Sequence, residues 1–369
     1  MSAIASWEGK NMKKVLYLSN IEVPYRVRFF CELAKRCDLT VVYERECSNN
    51  RDNIWAKSEK NEYKAEYLNG IKIGNESSFS FGIFKYIFGK YDAIIVGCYN
   101  TPVQMLAILL MKLFNVSYIV NLDGEVFLEE KNIKNMIKKM FLRGAKSYLV
   151  AGERAAKSIE RVANGRKIVP YYFSSLSDDE LIKHREAGEG TVRDKTVLVV
   201  GQYFDYKGLD IAIKVAKKNT DINYKFVGMG KRTELFAKEQ EVSKLQNVEV
   251  ISFLQKEELE KEYKKCALLL LPSRRECWGL VVNEAASFGM PIVSTWGSGA
   301  AVEFLGDKYP EYLAMPGDSE ELYNCVVKLL NSSEVDVYKQ YLFEKSKLYS
   351  IEKSVEAHMK AIDTRVGEE

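Results

Sequence analysis

The amino-acid sequence predicts an α/β protein of two domains, each organised around a parallel sheet. Short apolar segments alternate with longer segments of helical period along both halves, the pattern of repeated strand-helix-strand units. A polar, glycine-containing segment interrupts this alternation near the middle. A chain of 369 residues can bury two separate cores. We therefore expect a first domain at residues 1–173, a linker at 174–195, a second domain at 196–349 and a last helix at 350–369.

Composition excludes several function classes. The 54 basic and 51 acidic residues leave a net charge of +3, too little to indicate a nucleic-acid-binding protein. The two histidines, His184 and His358, are both expected in polar surroundings, which leaves no material for a histidine metal site or a Ser-His triad. Seven scattered cysteines without a Cys-x2-Cys spacing indicate neither zinc nor a disulfide framework, and they fit a reducing cytoplasm.

The termini and apolar runs predict neither a targeting signal nor a membrane span. The longest apolar run, residues 105–114, is interrupted by Lys112 and is too short to cross a bilayer. Residues 1–11 lack the pattern of a targeting signal. We expect them to be a poorly ordered extension, with Met12 as a natural or alternative start.

The first half opens with a strand at 15–19, a helix at 25–36 and a strand at 39–43, which together form a strand-helix-strand unit. Asp123 directly follows a later strand at 116–122. In open parallel sheets, ligands gather at the carboxyl ends of the strands. Asp123 is therefore a candidate for a role in chemistry.

Residues 132–146 have the period of an amphipathic helix. One face is apolar and consists of Ile133, Met136, Ile137, Met140 and Phe141, and the rest is rich in lysine. The pattern fits a helix packed on the core with a solvated basic face, which we favour. It also fits a helix that lies on a membrane surface and gives the protein a peripheral membrane contact.

The second half is organised around residues 266–303. They predict a buried strand at 267–271, a loop that carries Glu276, a helix that begins near Gly279 and a strand at 291–294. Glu276 and Glu284 stand on either side of the helix start, and the backbone N–H groups of Gly279, Leu280 and Val281 lie between them. The first turn of a helix attracts anions, and the helix rises only about 7.5 Å from residue 279 to 284. One extended nucleotide-sugar could place its sugar hydroxyls, diphosphate and ribose on these three features.

The same residues carry a resemblance to a known family. Glu276-x7-Glu284, Gly289-Met290-Pro291 and the glycines 297 and 299 ahead of Glu303 resemble the signature of the retaining glycosyltransferases of family GT4. The resemblance covers the C-terminal half well and the N-terminal half weakly. It implies the GT-B fold, which has two facing Rossmann-like doubly wound domains, a cleft between them and a C-terminal helix that crosses back to the first domain. It also implies that Glu276 meets the donor sugar and that Glu284 binds the ribose.

The chain departs from the family pattern at the expected diphosphate site. The family has Gly-Arg followed by Lys-Gly, and here Lys207 matches while Gln202 stands at the arginine position. A glutamine donates a hydrogen bond but does not neutralise a phosphate. The charge of the leaving group is then left to Lys207 and the helix N-terminus, or to a contribution from Arg274 or Arg275.

A second departure concerns the acceptor. Related enzymes commonly have a Gly-Gly in the first loop, where this chain has Asn20, Tyr25 and Arg26, the expected acceptor-binding residues. Arg26 either binds a phosphate or an acidic sugar, or is a solvated arginine at the start of a helix. Asp123 stands where many family members have a histidine close to the donor sugar. Asp123-Gly-Glu125 also suggests the metal-binding Asp-x-Asp of the other glycosyltransferase fold, a hypothesis we rank lower.

The resemblance implies transfer of a sugar from a nucleoside diphosphate sugar to an acceptor hydroxyl with retained configuration. The expected catalytic residues are Glu276, Asp123 and Lys207, with no metal and no cofactor. We expect a UDP- or GDP-sugar rather than an ADP-sugar, and an oligosaccharide or lipid-linked glycan as acceptor. The setting would be bacterial surface-polysaccharide assembly, in the cytoplasm or at the inner face of its membrane.

Two alternatives belong to other classes. A nucleotide-sugar 2-epimerase has the same fold but usually depends on acidic and histidine residues in the cleft, and the two histidines here are badly placed by sequence. A non-catalytic partner or glycan-binding protein would keep the fold without the chemistry, because fold does not fix function. The Gln202 departure keeps this second alternative open.

Overall fold

The computed structural model describes residues 12–45, 61–73, 77–124 and 133–364, so the expected extension at 1–11 and Glu125 lie outside the described residues. The elements of the first half are β1 (Lys14–Ile21), α1 (Pro24–Ala34), β2 (Asp38–Arg45), β3 (Lys64–Tyr67), β4 (Ile71–Ile73), β5 (Ser77–Phe79), α2 (Ile83–Ile87), β6 (Ala93–Val96), α3 (Pro102–Leu113), β7 (Ile119–Leu122), α4 (Ile133–Leu142), β8 (Ser147–Ala151), α5 (Glu153–Ser158), α6 (Glu160–Ala163) and β9 (Lys167–Tyr171). Those that follow are α7 (Asp178–Gly188), β10 (Thr196–Val200), α8 (Leu209–Lys218), β11 (Asn223–Val227), α9 (Thr233–Glu239), β12 (Val248–Ile251), α10 (Lys256–Lys265), β13 (Leu268–Leu271), α11 (Leu280–Ser287), β14 (Ile292–Thr295), α12 (Gly299–Leu305), β15 (Leu313–Ala314), α13 (Ser319–Leu330), α14 (Val335–Ser346) and α15 (Ile351–Asp363).

Two parallel sheets confirm the predicted α/β fold class. The first has the strand order β3-β2-β1-β6-β7-β8-β9, and the second has the order β12-β11-β10-β13-β14-β15. In the first sheet the winding reverses between β1 and β6, and in the second between β10 and β13. Open α/β sheets bind ligands at such reversals, outside the carboxyl ends of the strands. The topology therefore directs attention to the loops that follow these four strands.

Local sequence signals place the ends of several helices. Pro24 is the first residue of α1. Proline lacks a backbone N–H, but the N–H groups of the first turn have no partner within the helix, so no hydrogen bond is lost. Ser177 and Glu180 form a capping box at the start of α7. Ser350 caps α15 as predicted, since its hydroxyl accepts a hydrogen bond of 3.2 Å from the Lys353 N–H.

Helix α7 lies inside the segment predicted to link the domains. His184 on this helix is buried against Phe288, with ring centroids 4.1 Å apart, and its Nδ1 lies 2.8 Å from Ser287 Oγ. His184 Nε2 lies 3.4 Å from Glu260 Oε1, so the histidine has the expected polar neighbours, but it is buried because its face of the helix packs on α11. Burial lowers the pKa of His184 to about 4.

Helix α15 crosses back onto the first sheet, as predicted. It packs on α1, β8 and β9. The predicted apolar stripe is buried and consists of Ile351, Val355, Met359 and Ile362. His358 on the same helix is completely buried, and both of its ring nitrogens have polar neighbours within the interior, the Ser354 carbonyl oxygen and Asn121 Oδ1. The histidine is buried because the helix sinks into the first half instead of ending in solvent.

The favoured prediction for the 132–146 helix is wrong. The apolar side chains of α4 are exposed to solvent, at 76% for Ile133, 69% for Met136, 44% for Ile137 and 49% for Met140. Phe141 is buried, as the prediction had it. Periodicity shows that a helix has one apolar face but does not show whether another element covers that face. Within the described residues, no helix is long and apolar enough to cross a membrane.

Candidate active site between the two sheets

The two halves touch through the loops at the carboxyl edges of their sheets. A Cβ atom on Gly124, after β7, would lie 2.1 Å from the carbonyl oxygen of Cys277, after β13. Any side chain at position 124 would force the two loops apart. Beside this contact lies a pocket with about 510 Å³ of empty space, part of it open to solvent. Its walls come from both halves and include Gly124, Arg154, Arg275, Glu276, Trp296 and Glu303.

On the second-half side, the structure brings Lys207 and Glu276 together. Their side chains form an ion pair, and Ser273 Oγ lies 3.4 Å from the same carboxylate. Gly208 has a φ of +68°, and a Cβ there would lie 2.1 Å from the carbonyl oxygen of Pro272. The glycine after Lys207 therefore lets the two loops pack closely and sets the lysine beside Glu276.

Helix α11 begins beside this pair, as predicted. Gly279 takes a φ of +105°, and Leu280 is the first helical residue. A Cβ on Gly279 would lie 3.3 Å from Cγ of Glu276, so the helix start and the glutamate are immediate neighbours. The N–H groups of Gly279, Leu280 and Val281 belong to this first turn, where a helix attracts negative charge.

Glu284 lies further along α11 and is held by two hydroxyl groups. Tyr263 donates to Oε2 at 2.7 Å, and Ser175 donates to Oε1 at 3.3 Å. Burial raises the pKa of Glu284 above its ordinary value. Sequence reasoning missed both partners. One signal was available, since Tyr263 is an aromatic residue on an otherwise highly charged helix.

The structure separates the two arginines considered as substitutes for the charge missing at Gln202. Arg274 makes two hydrogen bonds to Asp210, of 2.8 and 2.6 Å, and is thereby tied to the first turn of α8. Arg275 lines the pocket beside Glu276. Gln202 is half-buried and follows the end of β10, on the same edge of the sheet. Arg275 is therefore the better-placed of the two.

On the first-half side, a recess with about 420 Å³ of empty space, part of it open to solvent, lies at the winding reversal between β1 and β6. All three expected acceptor residues border it together with Asp123, and its full lining is Tyr17, Ser19, Asn20, Ile21, Val23, Tyr25, Arg26, Gly97 and Asp123. These residues come from β1, from the start of α1 and from the segments that follow β6 and β7. Glu125, the second carboxylate of the rival metal motif, lies outside the described residues.

The prediction that Arg26 is a solvated arginine is wrong. Its residue exposure is only 7%, so it is not a solvated side chain. It forms an ion pair with Asp123, and its guanidinium stacks on the Phe173 ring 4.9 Å from the ring centroid. Although burial opposes the charged form, Asp123 holds the pKa of Arg26 above its ordinary value. Arg26 thus anchors Asp123 while it borders the recess, and its binding of a phosphate or an acidic sugar stays a prediction.

Asp123 accepts further hydrogen bonds from below the recess. Asn121 Nδ2 donates at 2.8 Å and the Tyr171 hydroxyl donates at 2.7 Å, both to Oδ1. His358 Nε2 lies 3.0 Å from Asn121 Oδ1. His358 therefore lies two hydrogen bonds behind Asp123 and does not itself border the recess. Nothing in the sequence around residue 358 indicates this connection.

Glu303, at the end of the signature, links the two halves. Its carboxylate accepts three hydrogen bonds, from the backbone N–H groups of Glu153 at 3.2 Å and Arg154 at 3.3 Å and from the Tyr349 hydroxyl at 3.1 Å. Because α12 belongs to the second half and α5 to the first, this glutamate fixes their spacing at one edge of the pocket. Among the described residues, no group of three or more His, Cys, Asp or Glu side chains is arranged to hold a metal.

Residues 182–341 match the sequence model of the family described as Glycosyl transferases group 1. Over these residues, fewer than half of the 369, the chain is similar to this family. The matched range contains Gln202, Lys207, Glu276 and Glu284, the side chains expected to bind the donor. The recess around Asp123 lies outside the matched range.

Several glycosyltransferases are similar in sequence. One from Haemophilus influenzae, described as uncharacterized, is 33% identical over 175 residues, and the match spans 45% of this chain and about half, 48%, of that protein. Another from Methanocaldococcus jannaschii, also described as uncharacterized, is 25% identical over 289 residues, 75% of this chain and 78% of that protein. The O-antigen chain mannosyltransferase C of Escherichia coli is 29% identical over 147 residues, 39% of either chain.

Several solved structures share the fold. Sucrose-phosphate synthase of Thermosynechococcus elongatus superposes with a TM-score of 0.69 at 15% identity, and the match covers 95% of this chain and 98% of that one. Anabaena HepE, solved in complex with UDP and glucose, superposes with a TM-score of 0.68 at 16% identity over 96% of this chain and all of the other, 100%. Likeness over nearly the whole chain confirms the predicted GT-B fold.

Proposed function

We propose that this protein transfers a sugar from a nucleoside diphosphate sugar to an acceptor hydroxyl and retains the configuration at the anomeric carbon. The observation that carries the proposal is the Lys207–Glu276 ion pair at the start of α11, across the cleft from Asp123. It supplies a cation, a carboxylate and a helix N-terminus within one small region. The match of residues 182–341 to the group 1 family model supports sugar transfer as the chemistry.

The donor side consists of the Lys207–Glu276 pair, Gln202, Glu284 and the first turn of α11. A diphosphate replaces Glu276 as the partner of Lys207, because the lysine and the helix N–H groups both favour phosphate oxygens. Glu276 then accepts a hydrogen bond from a hydroxyl of the donor sugar. Glu284 accepts one from a ribose hydroxyl, and Gln202 donates to a phosphate oxygen without adding charge.

The bond between the anomeric carbon and the phosphate oxygen breaks while the acceptor oxygen approaches on the same face of the sugar. The departing phosphate oxygen takes the proton of the acceptor hydroxyl, and the sugar passes through an oxocarbenium-like state. Lys207 and the N–H groups of Gly279, Leu280 and Val281 stabilise the charge that develops on the diphosphate. No metal and no cofactor enters this scheme. Asp123 lies by the acceptor hydroxyl and orients it.

The proposed donor is a UDP- or GDP-sugar rather than an ADP-sugar. A solved neighbour of the same fold holds UDP and glucose, which supports UDP. The proposed acceptor is an oligosaccharide or a lipid-linked glycan of a bacterial surface polysaccharide, in line with the name of the E. coli relative, an O-antigen chain mannosyltransferase. The recess of about 420 Å³ around Asn20, Tyr25 and Asp123 would receive the reacting end of the acceptor.

The reaction is tested by incubating the protein with UDP-, GDP- and ADP-sugars in EDTA and following the products by proton NMR. Without an acceptor, slow transfer to water is expected, and the first sugar released should have the anomeric configuration of the donor. Release of the opposite anomer contradicts retention. An isomerised nucleotide-sugar indicates the epimerase instead, and nucleotide binding without any product indicates a non-catalytic partner or glycan-binding protein.

We further propose that the protein works at the cytoplasmic face of a membrane, through the apolar face of α4. Exposed apolar side chains continue from α4 onto the neighbouring helices α2 and α3, and this surface includes Phe84, Phe88, Leu109, Leu113, Phe114, Ile133, Met136, Ile137 and Met140. The three helices carry lysines and no acidic residue. Apolar side chains bordered by cations match an anionic lipid surface. In the described ranges none of the six cysteines forms a disulfide, which agrees with the cytoplasm.

Membrane contact is tested by sedimentation with vesicles of zwitterionic lipid, with and without phosphatidylglycerol. The wild-type protein should pellet with the anionic vesicles and lose binding in high salt. Replacing Met136 and Ile137 with serine should abolish binding. The matched control, Val337→Ser, removes an apolar side chain that is 60% exposed on α14 and should pellet like the wild type. Equal binding of all three proteins contradicts the proposal.

A further inference from the structure

A buried line of polar groups runs from the C-terminal helix to the recess. The backbone carbonyl of Ser354 lies 2.7 Å from Nδ1 of His358, whose Nε2 lies 3.0 Å from Oδ1 of Asn121. Nδ2 of Asn121 lies 2.8 Å from Oδ1 of Asp123. His358 and Asn121 are at most 1% exposed, whereas the side chain of Asp123 is 35% exposed and borders the recess. The line of polar groups therefore ends, at Asp123, in the recess where an acceptor would bind.

The number of hydrogens available to this line can be counted from the chemistry of its members. A backbone carbonyl only accepts, so Nδ1 of His358 must carry a hydrogen. When Oδ1 of Asn121 faces the ring, Nε2 must also carry a hydrogen, because an amide oxygen only accepts. In this arrangement both ring nitrogens are protonated, and His358 is an imidazolium. Asn121 then donates to an ionised Asp123, as do Tyr171 and Arg26.

Turning the Asn121 amide by half a turn gives the other complete arrangement. Nδ2 of Asn121 then donates to Nε2 of a neutral His358, while Oδ1 faces the carboxyl group of Asp123 and requires a hydrogen on it. Both arrangements contain the same number of protons and differ only in which end of the line carries one of them. If that proton is missing, two acceptors face each other at one of the contacts, at a cost comparable to a lost buried hydrogen bond.

Some of the surrounding groups favour the proton on Asp123 and others favour it on His358. Burial lowers the pKa of His358 to about 3, and the guanidinium of Arg26 acts in the same direction, so both favour placing the proton on Asp123. The same guanidinium, paired directly with Asp123, favours the ionised carboxylate and so returns the proton to the histidine. The remaining titratable groups at this place are Tyr171 from β9 and Tyr17 from β1, and burial raises the pKa of both hydroxyls, so they remain protonated. Phe29 from α1 covers the other face of the imidazole.

We propose that His358 and Asp123 share one proton through Asn121, so that the C-terminal helix sets the charge of the carboxyl group in the recess. The role of that carboxyl group toward an acceptor hydroxyl rests on the proposed function. An ionised Asp123 accepts the hydroxyl hydrogen, and a protonated Asp123 donates to the hydroxyl oxygen. His358 does not touch the recess and is a positioning residue.

The test reads the proton directly and needs no substrate. The protein is labelled with 15N in both ring nitrogens of histidine, in a His184→Gln background that leaves a single imidazole. Nitrogen chemical shifts are recorded from pH 5 to 9 with Asp123 intact and with Asp123→Asn. The side-chain N–H of an asparagine at position 123 can donate to Oδ1 of Asn121, as a protonated aspartate would. Asn121 can then donate its own N–H to Nε2 of His358, so the histidine should be neutral and Nε2 should carry no hydrogen.

With Asp123 intact, the Nε2 signal should lie between the values of a bare and a protonated nitrogen and should move to the bare value in the Asp123→Asn protein. Equal Nε2 shifts in the two proteins across the pH range would overturn the proposal. Asp123→Asn removes the charge that is paired with the buried Arg26, so a thermal melt verifies that the variant is folded before its spectra are compared. Because the readout is spectroscopic, failure of sugar transfer leaves this result intact, and failure here leaves the transfer test intact.

Discussion

The two sides of the cleft hold their charged residues in contrasting ways. On the donor side, Lys207 and Glu276 come from two loops and are paired mainly with each other. On the acceptor side, the Arg26–Asp123 pair is fixed by Asn121, Tyr171 and the Phe173 ring, and through Asn121 by His358. The donor pair can exchange its internal contact for a ligand, whereas the acceptor pair is held in place before any ligand arrives.

This difference indicates a division of labour. A loop pair that separates when a diphosphate enters makes donor binding a competition between phosphate and Glu276 for Lys207. A carboxyl group locked by a network gives the incoming hydroxyl a fixed reference point, which is how preorganised groups lower a barrier. Substitutions on the donor side should therefore change binding and chemistry separately, and substitutions on the acceptor side should change chemistry more than nucleotide affinity.

The largest expected effect comes from Glu276→Gln. Transfer should fall by about a thousandfold because the hydrogen bond that orients the donor sugar is weakened. UDP should bind as tightly as to the wild type or more tightly, since Lys207 loses its competing carboxylate. Turnover and UDP affinity are measured together, with Glu320→Gln on the surface as control. If turnover and UDP affinity fell together, Glu276 would not be competing with the diphosphate for Lys207.

Gly124→Ala should have the next largest effect. The added methyl group would lie 2.1 Å from the Cys277 carbonyl oxygen, so the donor and acceptor loops must separate. We expect turnover to fall about a hundredfold, because misplacing reactants by about 1 Å is enough for such a loss. Gly165→Ala meets nothing within 4 Å but strains a backbone φ of +78°, so it is the control for a destabilising glycine replacement that does not touch the loop contact. An active Gly124→Ala protein would show that the contact is not needed.

A third prediction concerns the charges that join the two halves. Glu180 on α7 binds Arg28 of α1 and Lys256 of α10; although burial opposes it, these cations lower the pKa of Glu180 from 4.5 to about 2. A depressed carboxyl pKa contributes stability above the unfolded value that is lost as pH falls through the folded one. Allowing for partial exposure, the wild type should lose about 2 kcal/mol between pH 4.5 and pH 2 through this group.

The measurement is the free energy of unfolding from urea titrations across that pH window, for the wild type and for Glu180→Gln. The variant should be less stable at neutral pH and should lose less stability on acidification. Glu344→Gln, at an exposed ion pair, serves as control. If the free energy of unfolding fell equally with pH in the wild type and in Glu180→Gln, the Glu180 carboxylate would not contribute to stability in this way.

The smallest effect is expected from Gln202→Arg, which restores the charge found in the family pattern. UDP affinity should rise about tenfold, equal to about 1.4 kcal/mol, because a guanidinium pairs with phosphate where an amide only donates a hydrogen bond. Calorimetry measures the change, with Asn331→Arg at the exposed end of α13 as control for added charge. Unchanged UDP affinity would place residue 202 away from the diphosphate.

The donor side was largely predictable from sequence, and the acceptor side was not. Glu276, Gly279 and Glu284 lie within nine consecutive residues, so strand, turn and helix rules suffice to set their relative positions. The partners of Asp123 come from α1, β9 and, through Asn121, α15, and only tertiary packing joins residues so far apart. For the same reason the sequence showed the apolar face of α4 but not that it stays uncovered.

The most direct test of the central claim is a calorimetric titration of UDP into the wild-type protein and into Lys207→Gln, both in EDTA. The account predicts that the wild type binds UDP without a metal and that Lys207→Gln raises the Kd by about tenfold or more, since the main cation for the diphosphate is removed. Equal affinities in the two proteins, or binding by the wild type only when a divalent metal is added, would contradict a donor site built on Lys207 and the start of α11.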